Sequence, residues 1–142
     1  MKTIFSIFFI LMLAFVAFGQ EDLPIIGKVS DLSEKTKVYL IAPTTKSRER
    51  IQKILDKDKS FQIVSDPKEA DFMLEFKPIA KTRYPIEDSA EMTAYFYNAE
   101  KRKVLAWSKT YDRFKKVIGK LEENEDALTK QFLKAIKDKN KQ

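Results

Sequence analysis

Seven polar or small residues, 65–71, separate two apolar bursts, FQIV at 61–64 and FMLEF at 72–76. A gap that short holds one turn, so the bursts read as successive strands of one sheet. The joint between them, Asp66-Pro67-Lys68-Glu69-Ala70, has the composition of a single helical turn. Proline suits the first helical position, where its missing N–H has no partner to lose. The acids favour the positive end of the peptide dipoles. Backbone requirements explain every residue of the joint, so it is read as a connection and not as a site.

The rest of the chain extends this sheet. KVYLIAP at 37–43 is a continuous apolar run stopped by proline, as a strand covered on both faces would be. In the following TTKSRERIQKILDKDK, Ile51, Ile54 and Leu55 recur at helical spacing, with Thr45 or Ser47 placed to cap the start. FMLEFKPIA at 72–80 is the third strand, and 81–90 reads as a polar loop. EMTAYFYNAEKRKVLAWSKTY at 91–111 reads as a β-hairpin turning at 98–102. One of its faces should be buried, and the other should carry hydroxyls, small residues and Tyr95 with Tyr97. Gly119 interrupts the charged stretch that follows. Leu128, Phe132, Ala135 and Ile136 then form one apolar stripe of a closing helix, with Glu125 and Asp126 near its start.

The order β-α-β-β-β-β-α predicts the α+β class, an α/β sandwich. A helix between the first two strands favours a parallel pair, and the last three strands can run as an antiparallel meander. The expected architecture is a mixed sheet of about five strands with two helices packed on one face. The expected organisation is a signal peptide at 1–19, a leader at 20–35, one domain at 36–138 and a frayed basic tail at 139–142.

The ends indicate export. Lys2 precedes an apolar run at 7–18, and Ala17-Phe18-Gly19 presents the small residues signal peptidase requires. The run is short for a bilayer span, so cleavage after Gly19 and no transmembrane span afterwards are expected. Removing 1–19 takes away one cation and no acid, lowering the net charge from +6 to +5. The chain has no cysteine. It therefore has no disulfides to stabilise it in an oxidising compartment, and no Asn-x-Ser/Thr sequon is present. Both absences point to a bacterial periplasmic or secreted protein.

KVYLIAP, an amphipathic helix, FQIV and then EADFMLEF together resemble the N-terminal domain of TolB and the related CsgG-type and LpoB-type periplasmic domains. AYFYNAEKRKVLAWSKTY is similar to their hairpin, and ALTKQFLKAI to their closing helix. The resemblance covers roughly residues 36–137. It implies a periplasmic α/β adaptor or envelope-complex module with no catalytic residues to carry over. Residues 1–142 include neither a propeller of the TolB kind nor a lipid-anchoring cysteine.

Composition narrows the chemistry. Without histidine or cysteine, Ser-His-Asp and Cys-His arrangements and the usual zinc sites cannot be built. Three glycines, at 19, 27 and 119, do not make a phosphate-binding loop. No cofactor or metal is expected. The remaining catalytic group would be Glu87, Asp88 and Glu91 with Tyr84 nearby, serving a small hydrolase by acid–base work. Adjacent loop carboxylates are more often solvated.

The second candidate is a basic-aromatic cluster formed by Lys101, Arg102, Lys103, Trp107, Lys109, Tyr111 and Arg113, continuing into Phe114, Lys115 and Lys116. Such a set can hold an anionic lipid or polymer by charge pairing and stacking; a core tryptophan among solubilising lysines is the plainer reading. Export argues against nucleic acid as the partner. The third candidate is the hairpin face with Tyr95 and Tyr97 beside Trp107, a surface able to seat an envelope protein. The leading expectation is a non-enzymatic exported binding or adaptor domain of the bacterial cell envelope.

Overall fold

A computed structural model of the chain describes residues 23–80, 88–112 and 121–139. The expected signal segment, the tail from 140, Tyr84, Glu87 and 113–120 lie outside the described residues. Six strands form one mixed sheet: β1 (Ile25–Ile26), β2 (Lys37–Ile41), β3 (Gln62–Ile63), β4 (Phe72–Ala80), β5 (Asp88–Tyr97) and β6 (Lys103–Asp112). Two helices, α1 (Thr45–Asp58) and α2 (Leu121–Lys139), pack on each other and on one face of it. The spatial order is β1-β6-β5-β4-β2-β3. β2 runs parallel to both β3 and β4, and β4, β5 and β6 form the antiparallel meander. The α+β class and the one-sided helix layer are as the sequence predicts.

The sixth strand comes from the stretch expected to be a leader. Ile25 and Ile26 pair in parallel with Val104 and Leu105, and Gly27 N–H donates to Leu105 O at 2.8 Å. The chain passes so close there that a Cβ on Gly27 would lie 2.7 Å from Val104 Cγ1. A 3-10 turn at Val29–Leu32 follows, and Leu32 is buried in the core. Burying such a side chain contributes about 1.5–3 kcal/mol, so this stretch belongs to the domain.

The core lies between the sheet and the helices. Val38, Leu40, Phe72, Leu74, Phe76 and Met92 point into it from the sheet, and Ile51, Leu55, Leu128 and Phe132 meet them from the helices. Phe132 is central: Phe61 stacks on it at 5.8 Å and Trp107 meets it edge-on at 5.3 Å.

The joint at 65–71 is a connection in the structure too. Asp66 caps the 3-10 turn Pro67–Glu69 by accepting from Lys68 N–H at 2.9 Å. Asp71 accepts from Lys37 N–H at 2.8 Å and Thr36 N–H at 3.0 Å, tying the start of β4 to that of β2. The Lys37 amide in particular holds the Asp71 carboxyl below its usual range. α1 is capped by Thr44, one residue before the expected position: its side chain accepts from Ser47 N–H at 3.1 Å.

Candidate functional site

The hairpin turns where expected, but a bulge redistributes its side chains. Opposite Ala94 sits Trp107, and opposite Tyr95 sits Leu105, so β6 carries one extra residue at that point. A bulge of this kind breaks the two-residue alternation. Leu105 and Trp107, expected on one face, are therefore split between the two faces. Trp107 turns under α2 against Phe132, and Tyr111 is likewise packed against the core. Tyr95, Tyr97 and Lys103 are on the other side of the sheet. The expected assembly of Tyr95 and Tyr97 beside Trp107 is not formed, and the basic-aromatic cluster is divided by the sheet. Lys109 pairs opposite Met92, on the Trp107 side, with its side chain exposed. Lys101 and Arg102 stand on the hairpin loop, and Arg113 lies outside the described residues.

No described helix covers the second face. One continuous rung crosses it in register: Tyr39 pairs with Met73, Met73 with Tyr95, Tyr95 with Leu105, and Leu105 with Ile26. Five strands thus contribute one large apolar or aromatic side chain each to a single line. Tyr39, Met73 and Leu105 are half-buried, Tyr95 is 7% exposed and Ile26 76%. Cations lie against the rings. Lys103 Nζ is 3.9 Å from the Tyr95 ring centre, and the Arg48 guanidinium is 5.2 Å from that of Tyr39. Tyr97, 54% exposed, meets Tyr95 edge-on at 6.1 Å. Burial, reinforced by the nearby Glu75 and Tyr97, pushes the Tyr95 phenol up to about 12. The neighbouring rungs are polar: Lys77 pairs with Glu75 at 3.1 Å, and Ser108 Oγ donates to Glu91 Oε1 at 3.1 Å.

The hairpin loop is ordered by its own side chain. Asn98 Oδ1 accepts from Glu100 N–H at 3.1 Å and Arg102 N–H at 2.9 Å, while Asn98 O accepts from Lys101 N–H. Lys101 has φ 61°, the left-handed conformation that three-residue hairpin loops usually assign to glycine.

Of the carboxylates expected to share a polar loop, Glu87 lies outside the described residues. Asp88 and Glu91 are both residues of β5. Among the described residues no group of three His, Cys, Asp or Glu is placed to hold a metal ion. No described helix is long and apolar enough to cross a membrane.

One polar cluster was not foreseen. Glu125, expected to be a helix-end charge, is 2% exposed, because α2 begins at Leu121, soon after Gly119, and carries it inside. Ser47 Oγ donates to its carboxylate, Arg50 lies 3.5 Å from it, and Thr129 Oγ1 donates to its backbone oxygen at 2.7 Å. Arg50 also reaches Asp126 at 3.3 Å. This network joins α1 to α2. Its sequence signal was Ser47 and Glu125 each lying within an apolar helical stripe.

No known protein family matches the chain, and no curated protein does. Among solved structures it is similar to a minor lipoprotein from Acinetobacter baumannii, at 15% identity and TM-score 0.43, over 75% of this chain and 95% of that one. It is also similar to uncharacterized lipoprotein B from Nitrosomonas europaea, at 15% identity and TM-score 0.41, over 79% and 81%. At such scores neither likeness transfers a role.

Proposed function

We propose that this chain is an exported, non-enzymatic binding or adaptor domain of the bacterial cell envelope, acting through the helix-free face of its sheet. The observation that carries the reading is the rung Tyr39–Met73–Tyr95–Leu105–Ile26, which sets aromatic and apolar side chains from five strands in one line on the face that no described helix covers. Rings of this kind contribute contact area at little entropic cost, and the cations beside them add orientation. Export rests on the apolar run at 7–18 and the small residues up to Gly19, and the absence of cysteine and of a glycosylation sequon supports a bacterial setting.

Photoreactive residues placed at Thr93 and Tyr97 should give the same discrete protein adduct in the native envelope. One placed at Lys53, on the exposed side of α1, should give none. An adduct from Lys53 alone would assign binding to the helix layer and overturn the reading. So would reproducible turnover of a substrate by the purified protein that is lost on substitution of Glu87, Asp88 and Glu91.

A further inference from the structure

We infer that the hairpin-loop end of the sheet docks on an anionic lipid bilayer, with Leu23, Ile26 and Tyr97 entering the interface and Lys101, Arg102 and Lys103 facing lipid phosphates. This surface overlaps the proposed partner-binding face at Ile26 and Tyr97 and adds Leu23 and the loop cations; vesicle partition and protein capture read the two roles separately.

Three observations meet at this end. The exposed large apolar side chains among the described residues are Leu23 at 81%, Ile26 at 76% and Tyr97 at 54%, and the topology gathers all three there. Tyr97 ends β5 opposite Lys103, which opens β6. Ile26 pairs with Leu105, two residues along β6 from Lys103. Because β1 is parallel to β6, the chain upstream of Ile25 heads toward the loop and brings Leu23 to it.

Charge is the second observation. Lys101, Arg102 and Lys103 are consecutive, and Glu100 is the one acid of the loop 98–102. Asp71, at the same end, is occupied by the amides of Thr36 and Lys37. Lys101 stays in a left-handed conformation that an L side chain adopts at a cost, and the Asn98 hydrogen bonds hold the loop in one shape. The backbone that carries the cations is thus fixed.

The third observation is where the described fold begins. Only residues 19–22 lie between the apolar run at 7–18 and Leu23, a reach of at most about 18 Å when extended. While that run lies in the membrane during export, this end of the fold is the part tethered nearest the bilayer. A soluble polyanion would need the cations alone. The exposed Leu23 and Ile26 beside them favour a surface with an apolar interior, and tyrosine suits its boundary.

The packed core lies within residues 32–136, so a chain beginning at Gln20 keeps all of it and serves for the test. Its partition would be measured by co-sedimentation with phosphatidylglycerol-containing vesicles and with neutral phosphatidylcholine vesicles. Preference for the anionic vesicles is expected, weakening as salt rises. Each cation near such a surface contributes about fivefold, so K101Q/R102Q/K103Q should bind about a hundredfold more weakly and K101Q/R102Q about thirtyfold. The double variant leaves the Lys103–Tyr95 contact intact and guards against loss of fold. L23S/I26S should also lose vesicle binding while keeping the wild-type melting temperature. Equal partition to both vesicle types, no partition, or a folded K101Q/R102Q that binds like wild type would overturn the proposal. If L23S/I26S binds unchanged, the surface is a polyanion site and the bilayer assignment falls.

Discussion

The two faces of the sheet are built from alternate residues of the same strands and serve different ends. Val38, Leu40, Phe72 and Leu74 point under the helices and are at most 2% exposed. Tyr39, Met73 and Leu105, in register beside or across from them, remain half-buried with no described helix above. The covered face stabilises by removing apolar surface from water and packing it densely. The open face carries rings whose faces meet cations, Tyr95 nearly buried beneath Lys103 and Tyr39 half-buried beside Arg48. The difference shows that strand propensity alone does not decide which face is core; the two helices do. A sheet face left in that condition has area to offer a partner.

The sharpest contrast should appear on truncation. Phe132→Ala removes the ring on which Phe61, Phe72 and Trp107 converge and should cost about 3–5 kcal/mol in chemical denaturation. Tyr97→Ala, on the open face, should change stability by no more than about 0.5 kcal/mol. Similar losses at both positions would mean that the open face is structural after all.

The next effect depends on pH. Folded Tyr95 holds its proton to about 12, whereas an unfolded tyrosine releases it near 10. Its contribution is therefore whole below pH 10 and is lost as pH rises toward 12, an effect of roughly 2–3 kcal/mol. Urea unfolding at pH 9 and pH 11.5 should show a steeper loss for the wild type than for Tyr95→Phe. Parallel curves would place Tyr95 in water. The smallest effect is a gain: Lys101→Gly should stabilise by about 0.5–1 kcal/mol by relieving the left-handed backbone.

The fold was largely legible because its strongest elements are locally determined. FMLEFKPIA fills β4 end to end, and the joint before it is capped as its composition demands. What escaped depended on distant contacts. Ile25 and Ile26 are too few to signal a strand; their pairing partner is Val104-Leu105, far along the chain. Thr44 caps the helix in place of Thr45 or Ser47: Thr45 is already its first residue, and Ser47 lies within its first turn with its side chain on Glu125. The candidate surface was half legible. Tyr95 and Tyr97 share the open face as alternation predicts, but one extra residue in β6 removed Trp107 from it. Alternation cannot foresee a bulge that carries no glycine or proline.

The most direct test is the double substitution Thr93→Arg/Tyr97→Glu, measured beside Lys53→Glu/Lys57→Glu on the outer side of α1, with melting temperature and capture of the cross-linked envelope partner read on both. The sheet-face pair should abolish capture at unchanged melting temperature, and the helix pair should leave capture intact. Full capture by the sheet-face variant, with loss in the helix variant, would contradict the account.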